Sequence, residues 1–195
     1  MTRLRAIATA VVCMGIGKTF YAPDAEKWRA WLERNHAEEK EIWLVYYTKG
    51  SGKPRVSYND AVGEAICFGW IDSTAKKIDD EKFAQRFTPR RKNSPMSELN
   101  KERARRMITE GKMTKAGIGA ISGGLGGRFA VPADIKAALM QNKAAWRNFR
   151  KFPLYYRRIR VAFIVGARNR PEEFQRRLNN FVRKTEQNKK FGMLQ

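Results

Sequence analysis

Apolar residues recur along this chain with two different periods, and the point where one gives out divides it. After Pro23, the residues Trp28, Trp31 and Leu32 fall at i, i+3 and i+4, the stripe of a helix to about His36 that Asp24 is placed to cap. EIWLVYYT at 41–48 is unbroken, β-branched and aromatic, which predicts a strand covered on both faces. The glycines and proline of KGSGKP, 49–54, end it in a hairpin-like connection. Ser57 followed by Asp60 gives a capping-box-like start to a helix over 58–67, with Val62 and Ile66 on its inner stripe. Phe68 to Asp72 then alternates with period two. Phe83 to Pro89 returns after the acidic turn Asp79-Asp80-Glu81, so an antiparallel hairpin is expected. Ser94 and Pro95 read as cap and first residue of a helix carrying Met96, Leu99, Met107 and Ile108, stopped by Gly111, and Thr114 caps a short helix to about Ile121.

Beyond the glycine-rich SGGLGG at 122–127 the strand pattern ceases. Helices are expected from Pro132 with Ile135 and Leu139 inside, around Trp146 and Phe149, from Pro153 through Ala167, and from Pro171. In the last of these, Phe174, Leu178, Phe181 and Val182 fall at i, i+4, i+7 and i+8, a buried face; the tail after Asn188 is expected to be loose. Strands mixed with helices, then helices alone, give an α+β fold. It is read as an N-terminal mixed helix/antiparallel-sheet domain at 17–121, a linker at 122–130 and a small all-helical module at 131–195. Residues 1–16, MTRLRAIATAVVCMGI, form an upstream extension, with Met14 as an alternative start. Arg3 and Arg5 ahead of a short apolar run also imitate an export signal. The run is too short to span a bilayer, and a cytoplasmic location is the preferred reading.

Charge changes the picture most. The chain carries 40 Lys and Arg against 19 Asp and Glu, a formal net of +21 over 195 residues. That excess predicts attraction to polyanions such as nucleic acid, anionic lipid or acidic proteins. It is uneven: residues 122–195 hold 17 basic against 4 acidic side chains, so the shorter C-terminal part carries +13 of the total. The two cysteines, Cys13 and Cys67, have no metal-binding or disulfide spacing, and Cys67 sits in an apolar context that makes it a buried thiol. A single histidine, His36, makes no metal site, and no cofactor is indicated. Gly50-Ser51-Gly52-Lys53 lacks the spacing of a phosphate loop, and no nucleophile elbow, HExxH or dinucleotide fingerprint is present, so catalysis has little support.

The segments EAICFGWIDS at 64–73, QRFTPRRKNSPMSELN at 85–100, WRAWLERNH at 28–36 and NKKFGM at 188–193 resemble the YdeI/OmpD-associated family, the bacteriocin-protection proteins. The resemblance implies that the N-terminal part is YjbR/CyaY-like and the C-terminal part an OmpD-associated helical module. It implies a role in tolerance of bacteriocins or cationic antimicrobial peptides, and no reaction. Iron binding of the CyaY kind does not carry over, because acidic residues are outnumbered two to one by basic ones.

Two groups of residues are candidates for binding. In the hairpin, Asp72 shares a face with Phe68 and Trp70. If the turn centres on Asp79 or Asp80, it looks toward Arg86, Thr88 and Arg90, and a half-residue shift puts it opposite Phe83, Gln85 and Phe87 instead. The first register is preferred, because it offers the carboxylate a guanidinium. An Asp72–Arg86 ion pair fixing the hairpin is one reading. A small-anion site of Arg86, Thr88, Arg90 and Arg91 beside Trp70 and Asp72 is the other. In the C-terminal helices, Arg147, Arg150, Lys151, Arg157, Arg158 and Arg160 form a prospective nucleic-acid surface, with Phe152, Tyr155 and Tyr156 interleaved as stacking groups or as core. Three functions follow: a non-enzymatic member of the bacteriocin-protection family, a polyanion-binding module, or a small-anion protein or enzyme at the hairpin.

Overall fold

The computed structural model describes residues 15–91, 94–121 and 124–192. The fold is α+β, with one four-stranded sheet in the first half of the chain and helices in the second. Two compact units form: Met1–Ser94 with Met107–Ser122, and Pro95–Arg106 with Gly123–Gln195. Cys13, Met14 and most of the N-terminal extension lie outside the described residues, as do Ser122 and Gly123 at the start of the expected linker.

In the first unit, β1 (Thr19–Tyr21), β2 (Ile42–Tyr47), β3 (Trp70–Lys77) and β4 (Lys82–Pro89) lie in the order β1-β2-β4-β3. The sheet is mixed where an antiparallel one was expected, because β1 pairs parallel to β2. Three residues with no alternation gave β1 no signature of its own. The segment 49–54 is a strand-to-helix connection around a 3-10 turn, Lys49–Ser51, rather than part of a hairpin, since β2 pairs with β4.

Helices α1 (Ala25–Asn35) and α2 (Tyr58–Cys67) start at the caps read from the sequence. The Asp24 carboxylate accepts the Lys27 N–H at 2.7 Å, and Ser57 Oγ accepts that of Asp60 at 3.1 Å. Phe20, Leu44, Phe87 and Trp70 share the sheet face that carries these helices. Trp28 packs 5.2 Å from Phe87 and donates to the Ala61 carbonyl, joining α1 to both β4 and α2. Within this core Glu64 is buried and paired with Arg29 at 2.7 Å.

Helix α3 (Glu98–Thr109) begins later than expected. Ser97, not Ser94, supplies the cap, its Oγ accepting the Asn100 N–H at 3.3 Å. Helix α4 (Lys115–Ala120) is capped by Thr114, whose hydroxyl also donates to the Cys67 carbonyl. There Gly117 lies so close that a β-carbon would collide with the Cys67 backbone.

The second unit holds α5 (Ala133–Gln141), α6 (Lys143–Lys151), α7 (Leu154–Val165) and α8 (Pro171–Glu186), with no strand among its described residues. Ile135, Leu139, Phe149, Tyr156, Ile164 and Phe181 form its core. The segment expected to be loose is held in part: the Phe191 N–H donates to the Tyr156 hydroxyl, and its ring packs on Phe181. No described helix is long and apolar enough to cross a membrane.

Candidate functional site

The hairpin contains both registers considered for it. Next to the turn, Ala75, Lys76 and Lys77 face Gln85, Ala84 and Phe83, the arrangement centred on Asp80. A bulge between Asp72 and Ala75 then shifts the pairing by one residue, so that Asp72 lies opposite Phe87, contrary to the preferred register. Arg86 and Thr88 therefore point to the other sheet face.

The Asp72–Arg86 ion pair is absent for this reason. Asp72 instead accepts the Tyr58 hydroxyl at 2.6 Å, and Arg86 binds Glu41, its Nε at 2.9 Å from Oε2. The guanidinium hydrogen bond leads in holding the Glu41 carboxyl below its ordinary range, with a second bond from Trp43 Nε1. Burial is the main cause that raises the hydroxyl pKa of Tyr46, near Tyr58 and Asp72.

The six hairpin residues do not converge. Trp70 is buried edge-on to Trp31 and donates to the His36 carbonyl, so its ring is a packing element. Arg90 donates to the Ser94 carbonyl. Only Arg86, Thr88 and Arg91 line a common groove, of about 570 Å³, shared with His36, Lys40 and the carboxylates Glu38 and Glu39. Its charge is mixed, and the central arginine is already neutralised by Glu41. No group of described residues has the composition of a metal site.

The second unit is different. Helix α6 is fixed at its start by Asn142, whose carboxamide accepts the Ala145 N–H at 2.9 Å. At its other end Asn148 donates to the carbonyls of Thr185 and Glu186 in the last turn of α8, both at 3.0 Å. Ala145 and Phe149 turn inward, and Phe149 meets Phe181 edge-on at 6.0 Å. The helical period then places Lys143, Arg147, Arg150 and Lys151 together on the outer side. These four cations line a groove of about 500 Å³ whose apolar part is Met140 and Trp146.

None of the four makes an ion pair among the described residues, and four of the unit's six acidic side chains are engaged elsewhere. Asp134 pairs with Arg168, Glu173 with Arg176 and Arg177, Glu102 with Arg105, and Glu98 with Lys101. The groove is thus a cationic surface with no internal ion pair of its own among the described residues, its apolar side formed by the exposed Met140 and the half-buried Trp146.

The continuous six-residue surface expected from the sequence divides here. Arg147, Arg150 and Lys151 are exposed on α6, but Arg157 and Arg158 are half-buried and Arg160 is buried. Arg157 lies 5.7 Å over the Phe149 ring, and Arg158 donates to the Gly127 carbonyl. Of the three interleaved aromatics, Phe152 and Tyr156 are core, and Tyr155 alone is exposed. Lys143 and Met140 were missed. The signal for Lys143 was its i, i+4 spacing from Arg147.

Comparison with known proteins finds two family models, one for each half of the chain. Residues 20–120 match the family model of a domain of unknown function (DUF8412). Residues 128–188 match the model described as "Bacteriocin-protection, YdeI or OmpD-Associated". The YjbR/CyaY likeness expected of the first part has no counterpart in these matches. No curated protein and no solved structure matches the chain.

Proposed function

This chain belongs to the DUF8412 family and carries a bacteriocin-protection, YdeI or OmpD-associated domain, and from that premise we propose that it is a non-enzymatic protein acting in bacteriocin tolerance by binding an anionic membrane surface. The observation that carries this reading is the α6 groove, where Lys143, Arg147, Arg150 and Lys151 surround Trp146 and Met140 within the residues covered by the bacteriocin-protection model. Cations beside an exposed Met140 and a half-buried Trp146 suit the headgroup region of an anionic bilayer, where charge and apolar side chains are both accommodated. A direct sink for cationic peptides is disfavoured, since like charges at +21 steer them away. Nucleic acid is the weaker partner, because two of the three expected stacking rings are core.

In this proposal the helical module at 131–195 acts on the cytoplasmic side, joined to the α+β domain at 17–121 through the glycine-rich 122–130. The YjbR/CyaY kinship of the first part belongs to the same reading, supported by its helix-covered sheet. The test is complementation of a deletion strain of the native host. Wild-type protein should restore bacteriocin resistance, and the variant Arg147→Gln/Arg150→Gln/Lys151→Gln, present at equal level, should not. Full rescue by the variant, or a deletion strain with unaltered sensitivity, overturns the proposal.

A further inference from the structure

Helix α7 buries a guanidinium that has no carboxylate partner among the described residues. Tyr156, Arg160 and Ile164 follow at intervals of four on its inward stripe, and Arg160 is only 8% exposed. Among the described residues it makes no ion pair, and its Nε has no hydrogen-bond partner. What surrounds it is aromatic and backbone. Its Cζ lies 5.2 Å from the Phe163 ring centroid and 5.0 Å from that of Phe191. Gly192 packs against the guanidinium so closely that a β-carbon there would stand 2.7 Å from Nη1. The Tyr156 hydroxyl holds this second wall in place through the Phe191 N–H.

Burying an unpaired cation is expensive and leaves its donors available to a ligand. Burial accordingly lowers the Arg160 pKa from its ordinary value. The guanidinium borders a cavity of about 550 Å³, within the ordinary range for small-molecule sites. Arg176, Arg177 and Arg183 also line it, against the single carboxylate of Glu173. That carboxylate is shared between Arg176 and Arg177, while Arg183 donates to the Asn180 side chain and makes no ion pair among the described residues. The remaining charge is positive, and Phe163 is exposed at the rim with Arg177 stacked 3.8 Å from its centroid.

We propose that this cavity between α7, α8 and Phe191 is a binding site for a small phosphorylated molecule, whose phosphate pairs with Arg160 and Arg183 and whose organic part lies along Phe163. A guanidinium fork matches two phosphate oxygens, and a dianion answers the local charge excess better than a monocarboxylate does. The site is separate from the α6 groove and does not depend on the membrane reading.

The test is calorimetric titration of the full chain with phenyl phosphate, with phenylacetate as the carboxylate control. Phenyl phosphate should bind, and binding should weaken at least tenfold in Arg160→Met. That variant should melt no lower than wild type without ligand, because a buried unpaired charge is replaced by an apolar side chain. Arg183→Gln, on the exposed side of α8, should weaken binding with no change in melting temperature. The triple α6 variant should bind phenyl phosphate as wild type does. Absence of phenyl phosphate binding to wild type, unchanged binding in Arg160→Met, or phenylacetate binding as tightly as the phosphate would each overturn the proposal.

Discussion

The Arg29–Glu64 pair offers a quantitative test of how the first unit is held together. The two side chains meet at 2.7 Å, but their surroundings differ: the Glu64 side chain is 8% exposed and that of Arg29 28%. Burial, the largest single influence, acts to lower the Arg29 pKa, yet it is raised, because the hydrogen bond and charge of Glu64 together with those of Cys67 outweigh that penalty. Arg29 also has other contacts, with Glu33 at 3.2 Å and the Lys112 carbonyl at 3.1 Å. Removing either partner is therefore not equivalent. Arg29→Met strands a carboxylate in the core and should cost about 3 kcal/mol, the lower end for a broken buried pair because some solvent reaches the site. Glu64→Gln leaves a guanidinium that can turn to Glu33 and water, and should cost about 1 kcal/mol. The double variant should cost less than the sum of the two. Urea unfolding followed by tryptophan fluorescence reads this out, since Trp28, Trp31, Trp43 and Trp70 belong to the first unit and only Trp146 to the second. Equal costs for the two single variants, or strict additivity, would refute the asymmetry.

Two other features of the first unit make sharp predictions. Gly117→Ala should lose about 2 kcal/mol, because its β-carbon would meet the Cys67 and Ile66 backbone, which cannot yield as a side-chain end can. Gly119→Ala, two residues on in the same helix with nothing within 4 Å of its β-carbon, should gain up to about 1 kcal/mol; thermal melts of the pair check this. Burial, aided by the charge of Glu64, pushes the Cys67 thiol up to about 11. The folded value lies above an unfolded one of about 8.5, so this stabilisation is present below that pH and is lost as pH rises through about 11. Mass spectrometry of the Cys67 peptide should show negligible alkylation of native protein at pH 8. Rapid modification at pH 8 would contradict the burial.

Local signals were legible, and non-local pairings were not. The caps at Asp24, Ser57 and Thr114 could be read because an oxygen and the N–H it accepts lie three residues apart. The same logic erred at Ser94-Pro95, where Ser97 offers an equivalent hydroxyl one turn further on. The β3–β4 bulge falls at Ser73-Thr74, without a glycine to announce it, so the register at Asp72 was underdetermined. Tyr58 and Glu41, the actual partners of Asp72 and Arg86, lie 14 and 45 residues away along the chain. The α6 surface was partly visible through Arg147, Arg150 and Lys151, but charge alone could not show that Asp134, Glu173, Glu102 and Glu98 are paired with other cations. Arg160 did leave a sign: it stands on the apolar stripe of Tyr156 and Ile164, where a cation is out of place.

The central claim is that α6 seats an anionic surface through charges with no internal partner. It is tested most directly by co-sedimentation of the full chain with phosphatidylglycerol-containing vesicles against pure phosphatidylcholine ones, for wild type and for Arg147→Gln/Arg150→Gln/Lys151→Gln. At about 1 kcal/mol per basic residue near an anionic bilayer, the variant should lose roughly 3 kcal/mol, on the order of a hundredfold in partitioning. Wild type should favour the anionic vesicles strongly. Equal partitioning of wild type between the two lipids, or a variant that sediments as wild type does, would contradict the account.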